Sequence, residues 1–153
     1  MRKVFVSGGF GLLHPGHIKF FRDARALGDY LIVSFACDKE MMKFKRRKPV
    51  LSEAQRRVML EAVRWVDEVV MGDISDKDPS NPIFDFAKEF KRLKPNLLVT
   101  TVDDPFAEQK LHFAKANGAD FMTLPKDVFS GCQSISTTEM RGKIVEDEQD
   151  GVS

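Results

Sequence analysis

The stretch Lys3-Val4-Phe5-Val6-Ser7-Gly8-Gly9-Phe10-Gly11-Leu12-Leu13-His14-Pro15-Gly16-His17 passes from an apolar run, through a glycine-rich turn, into a helix start. Lys3 to Ser7 reads as a short buried strand, because strands covered on both faces are apolar without interruption. Pro15 suits a first helical turn, where its missing N–H costs nothing. Ile18, Phe21 and Ala24 or Arg25 then recur at helical spacing, which predicts a helix over Pro15 to Leu27. Strand, loop and helix in that order open an α/β sheet.

Outward from this unit, Gly28-Asp29 ends the helix, and Tyr30 to Ala36 is a second near-continuous apolar run, which points to a parallel sheet. The basic stretch Lys43 to Lys48 leads to Ser52. Ser52 with Gln55 makes a capping-box signature for a helix through Arg64. Val66 to Met71 is the third expected strand, Gly72 to Pro82 a loop, and Phe84 to Leu93 a helix. Asn96 to Val102 is the fourth strand, Pro105 to Asn117 a helix stopped by Gly118, and Asp120 to Leu124 the fifth strand. After a loop over Asp127 to Ser134, Ser136 and Glu139 offer another capping box for a last helix reaching about Val145. The acidic tail Glu146 to Ser153 is read as disordered. The expectation is one domain over residues 3–145, an α/β doubly wound, Rossmann-like fold with a five-stranded parallel sheet. Its ligands should bind beyond the carboxyl ends of the strands.

The chain has 153 residues, enough to bury roughly two thirds of the unfolded surface in one core. Its 24 basic and 23 acidic residues nearly cancel, which argues against nucleic acid as a partner and makes any phosphate recognition local. Cys37 and Cys132 are its only cysteines and lack metal-ligand spacing, so neither a disulfide framework nor a zinc site is expected. No apolar run reaches a membrane-spanning length. A soluble, cytoplasmic protein without membrane association is the expectation.

The chemically suggestive residues fall at strand carboxyl ends. Ser7, Gly8, Gly9, Phe10 and Gly11 form a turn whose missing side chains would let backbone N–H groups approach an anion, ahead of a helix N-terminus with partial positive charge. His14 and His17, three residues apart, share one side of the helix start, and Gly16 between them leaves space for a ligand. The same glycines are also what tight packing alone would select. A metal site would need a third ligand that the sequence does not supply, so no metal-ligating residue is assigned.

With its flanking blocks, this segment resembles the HxGH signature of the cytidylyltransferase-like nucleotidyltransferase superfamily. Gly28-Asp29-Tyr30-Leu31-Ile32-Val33, Arg64-Trp65-Val66-Asp67-Glu68-Val69-Val70 and Ile135-Ser136-Thr137-Thr138 resemble, in order, blocks of the glycerol-3-phosphate cytidylyltransferase group and of the heptose-phosphate adenylyltransferases. The resemblance spans residues 3–145. It implies direct displacement, in which an acceptor phosphate oxygen attacks the α-phosphorus of a nucleoside triphosphate and pyrophosphate leaves, catalysed by positioning and charge stabilisation. His14 and His17 would donate to phosphate oxygens, Lys45 would be the catalytic cation, and Mg2+ would accompany the triphosphate. Ser7, Gly8, Gly9, Phe10, Gly16, Ser136, Thr137 and Thr138 would bind the nucleotide. Asp38, Asp103, Asp104 and Lys126 would face the acceptor. For Asp103 and Asp104 a helix cap ahead of Pro105 is an equal reading, for Ser136 a simple cap, and for Lys126 an exposed lysine without special role. Lys43, Lys45, Arg46, Arg47 and Lys48 also read as a solvated loop or a nucleic-acid patch.

The resemblance makes cytidylyl transfer from CTP to a small phosphorylated or phosphonylated alcohol the first expectation. Adenylyl transfer from ATP to a sugar phosphate, or a nucleotide-binding domain that has lost activity, is the alternative. It also implies a homodimer, to which the block around Trp65 would contribute if that tryptophan is not simply core. Two departures stand out. Gly9 and Gly11 replace the usual Thr or Cys and Asp, with Asp38 or Asp103 as substitutes for the lost carboxylate, and Lys126 to Ser134 replaces the usual lead-in to the Ser-Thr block.

Overall fold

A computed structural model describes residues 1–46, 48–76 and 83–149, the side chains of residues 44 and 45 excepted. The elements follow in the order β1 (Lys3–Gly8), α1 (Pro15–Arg25), β2 (Tyr30–Phe35), α2 (Asp38–Lys45), α3 (Glu53–Glu61), β3 (Glu68–Met71), α4 (Ala87–Leu93), β4 (Leu97–Thr101), α5 (Ala107–Ala116), β5 (Asp120–Leu124) and α6 (Thr137–Gln149). Every pairing is parallel, in the order β3-β2-β1-β4-β5. The order reverses between β1 and β4, and the crevice at such a switch point is where open α/β sheets bind ligands.

Alternation along β1 builds two cores. Val4 and Val6 turn to one face, against Phe21 and Ala24 of α1 and Leu60 of α3. Phe5 turns to the other, against Phe86, Phe90 of α4 and Ala114 of α5. Its ring meets Phe90 edge-on at 5.1 Å, and Phe113 meets Phe90 in the same way at 5.1 Å. Each fully buried phenylalanine contributes roughly 1.5–3 kcal/mol, so this sandwich stands without staples.

All five expected strands are present. The capping box at α3 is complete: Gln55 N donates to Ser52 Oγ at 3.2 Å, and Ser52 N donates to Gln55 Oε1 at 2.9 Å. Three differences from the sequence reading have physical causes. The sequence reading places no helix between Ala36 and Ser52, whereas α2 forms there and runs into the basic stretch, anchored by Met41, which is 6% exposed. Helices α4 and α5 begin later than expected, at Ala87 and Ala107, because single turns precede them. Helix α6 continues through Gln149, so residues 146–149 of the expected tail are helical, and residues 150–153 lie outside the described residues. Among the described residues no helix is long and apolar enough to cross a membrane.

The α1–β2 junction is the tightest glycine contact of the fold. A Cβ on Gly28 would lie 2.6 Å from the Arg2 carbonyl oxygen and 2.8 Å from Val4 Cγ2. Both neighbours are held, since Asp29 N donates to Arg2 O at 2.8 Å and Val4 is in the core. Gly28→Ala should therefore cost about 1–3 kcal/mol of unfolding free energy, read from denaturant midpoints. An unchanged midpoint would show that the junction yields.

Candidate active site

The loop after β1 turns on a residue other than its glycines. Phe10 has φ of +49°, the left-handed conformation that costs a side-chain-bearing residue about 1–2 kcal/mol. Packing holds it there. Its ring is 8% exposed and lies edge-on to Phe21 at 5.1 Å and to His17 at 5.3 Å. A Cβ on Gly8 would come within 2.8 Å of that ring, so Gly8 is what lets it fold back. Cβ atoms on Gly9 and Gly11 would stand 3.2 and 3.3 Å from the Met41 methyl group. The space left by the usual larger side chains is thus filled from α2. At Gly16 the expected ligand space is filled too, because a Cβ there would meet the His14 ring at 3.0 Å.

The two histidines cap their own helix. Gly16 N donates to His14 Nδ1 at 3.1 Å, and His14 N donates to His17 Nδ1 at 3.3 Å. An imidazole nitrogen that accepts carries no proton, so each neutral ring carries its proton on Nε2. The rings stack with centroids 3.7 Å apart. Burial, and then the charge of Lys126, hold the His14 pKa below its ordinary value against a smaller opposing effect of Glu139. Two Nε2–H groups side by side at a helix N-terminus are suited to donating to phosphate oxygens.

The α6 N-terminus closes the far side. Thr137 Oγ1 donates to Leu12 O at 3.3 Å, and Glu139 N donates to Ser136 Oγ at 3.1 Å, so Ser136 caps the helix. Between α6 and the loop lies a cleft of about 270 Å³ lined by Gly11, Met41, Lys48, Pro49, Thr137, Thr138 and Arg141. Arg141 escaped the sequence reading. Its signal was its spacing, because on a helix it shares a face with Thr137 and Thr138. The Arg141 Nε is buried and has no hydrogen-bond partner among the described residues, the state of a donor that awaits an acceptor.

Other expected residues are spread over the rim. Ser7 and Gly8 end β1 in register with Ser34 and Phe35. Lys45 ends α2, but its side chain, like all of Arg47, lies outside the described residues. Lys43 is used within the fold, its Nζ donating to Ser75 O at 2.6 Å. Asp103 is exposed, accepts from Thr101 Oγ1 at 2.7 Å and faces Lys126 Nζ at 3.2 Å. These contacts, Thr101 first, lower its pKa. Asp104 closes the turn ahead of α5 and not the helix itself, whose N-cap residue is Phe106: it accepts from Phe106 N at 2.8 Å and from Lys110 Nζ at 2.6 Å, and its side chain is only 10% exposed. Asp38 binds the buried Arg56 at 2.6 Å. Two further carboxylates, buried Glu40 and half-buried Asp85, also went unread. Glu40 accepts from Ser75 N at 2.8 Å. Burial, with Glu40 nearby, pushes Asp85 up to about 6.

The histidine caps give a pH dependence. The folded-state pKa of His14 is depressed below 6.5, so its contribution to stability is present above that pH and is lost as pH falls through the folded value. Unfolding free energy should fall more steeply between about pH 7 and pH 5 in the wild type than in His14→Asn, whose amide oxygen keeps a cap without titrating. Parallel profiles for the two proteins would contradict this assignment.

The cytidylyltransferase-like family description matches residues 5–143. An FAD synthase of Archaeoglobus fulgidus is 40% identical over 106 residues, 69% of this chain and 69% of that protein. One of Ferroglobus placidus is 38% identical over 111 residues, 72% of this chain and 66% of its own length. One of Archaeoglobus profundus is 32% identical over 147 residues, 95% of this chain and 88% of its own. Among solved structures, a lipopolysaccharide core biosynthesis protein from Thermoplasma volcanium shares the fold with a TM-score of 0.65 and 24% identity, covering 85% of this chain and 99% of that one. The chain belongs to the cytidylyltransferase-like family of nucleotidyltransferases.

Proposed function

We propose that the protein is an adenylyltransferase that joins the AMP portion of ATP to the phosphate of FMN, forming FAD and releasing pyrophosphate. The observation that carries this reading is the identity of 38% and 40% to proteins named FAD synthase, over 72% and 69% of this chain. It moves the choice away from CTP, the nucleotide first expected from the glycerol-phosphate resemblance, and towards the ATP alternative, with a ribityl phosphate in place of a sugar phosphate. A phosphate oxygen of FMN attacks the α-phosphorus of ATP, and the bond to the bridging oxygen of pyrophosphate breaks.

Each group then has a task. The Nε2–H groups of His14 and His17 donate to phosphate oxygens as negative charge builds in the transition state. Gly8, Gly9 and Phe10 supply the loop on which the triphosphate rests, with Ser7 at its entrance. Thr137 and Thr138, with the α6 N-terminal amides, take the outer phosphates. Arg141 and Lys48, both lining the cleft, add positive charge there. Lys45 offsets repulsion as the acceptor phosphate approaches, and Asp103 with Lys126 meets acceptor or ribose hydroxyls. Mg2+ arrives as part of the ATP complex and is held by its phosphates. A homodimer belongs to the same reading, and sedimentation would test it.

Pyrophosphate release with ATP and FMN, compared with CTP and with glycerol phosphate or sugar phosphates, is the direct test. Turnover with CTP and none with ATP would restore the cytidylyl reading. ATP binding without release under every acceptor would favour a domain that has lost activity. His17→Ala should lower the rate by about a hundredfold or more while leaving the unfolding midpoint near that of the wild type. Arg141→Gln should raise the KM for ATP about tenfold, as loss of a charge-assisted hydrogen bond does. Wild-type kinetics in either variant would remove that residue from the mechanism.

A further inference from the structure

We infer that Arg56 is a positioning residue that fixes the orientation of the Gly9–Phe10 peptide, so that the Phe10 N–H is presented to a phosphate oxygen of the bound nucleotide. The inference rests on reading the β1–α1 loop as the triphosphate cradle.

Arg56 lies on α3 with its side chain 0% exposed. Its Nη1 donates to Gly9 O at 3.2 Å, to Ala36 O, and to Met41 Sδ at 3.2 Å, and its Nη2 donates to Asp38 Oδ1 at 2.6 Å. One guanidinium therefore joins the ends of β1 and β2 to α2. Ala36 N, donating to Gly8 O at 2.9 Å, closes the same corner. Only a planar fork serves carbonyls and a carboxylate at once, which a lysine ammonium does poorly.

The consequence lies on the other edge of the peptide. In a trans peptide the C=O and N–H point in opposite directions, and the described residues contain no cis bond. With the Gly9 carbonyl drawn inward by Arg56, the Phe10 N–H points away from the guanidinium. Among the described residues no group accepts that N–H. Phe10 sits at φ +49° in the turn that this orientation requires. A strained residue with an unsatisfied amide, one edge of its peptide held by a buried cation, is the arrangement of a prepared anion donor. It also accounts for a loop that keeps its shape without a carboxylate at position 11, because the carbonyl is held from beneath.

The decisive variant changes one atom. Replacing the Phe10 amide by an ester removes the N–H and leaves the side chain and Arg56 in place. A synthetic segment of residues 1–36 joined at Cys37 to the remaining chain would supply it. The expected result is a loss of about a hundredfold in the rate of pyrophosphate release, with ATP binding weakened about tenfold. Arg56→Met should show the same two losses, Arg56→Lys should recover part of them, and millimolar guanidinium should partly rescue Arg56→Ala. Ester and wild-type proteins with equal ATP affinity and equal rates would overturn the inference. A wild type that binds ATP but does not transfer to FMN would sink the acceptor assignment and not this one, because the ATP affinity of the ester variant is read separately. A wild type that does not bind ATP would sink both.

Discussion

A guanidinium with no exposed side-chain surface, that of Arg56, sits where β1, β2 and α2 meet, and its bonds to Gly9, Ala36 and Asp38 fix that corner. A buried charge is costly unless its hydrogen bonds are made. Its Nε has no partner among the described residues, so the corner retains an uncompensated donor. Such a cost persists where the surroundings over-determine it. Here they do: Phe10 is held in a left-handed turn between Phe21 and His17, and the Met41 methyl fills the space over Gly9 and Gly11.

From that corner the chemistry follows by short steps. The loop delivers the chain to α1 with His14 as its cap, and the cap bonds decide which ring nitrogens carry protons. Burial and Lys126 lower the His14 pKa, and in the proposed reaction the pair would stabilise developing charge by hydrogen-bond donation. Thr137 reaches back to Leu12 and sets the α6 N-terminus, with Arg141 on the same helix lining the cleft, against this loop. The helix caps that hold α1 together also orient both imidazole rings, the donors that the proposed reaction would use.

The strands were legible because both faces of the central strands are covered, which leaves unbroken apolar runs such as Val4 to Val6 and Leu31 to Val33. The turn after β1 was legible from its glycines, although what those glycines do was not: they make room for Phe10, Met41 and His14. Helix α2 was hidden because its eight residues carry several charges and few buried apolar anchors, so charge density masked its period. Arg56 was hidden for a related reason. An arginine on a helix ordinarily reads as solvated, and its inward turn depends on carbonyls just past the ends of two strands distant in sequence. Asp104 shows the opposite case, where a local rule, an acidic cap before a short turn, was enough.

The central claim is transfer of an adenylyl group to a phosphorylated flavin across this loop, and ATP labelled at its α-phosphorus tests it in one measurement. Incubated with the protein, Mg2+ and FMN, the label should appear in a dinucleotide that carries the flavin, with unlabelled pyrophosphate released. Label that stays in ATP, while α-labelled CTP transfers its own to a glycerol or sugar phosphate, would contradict the account.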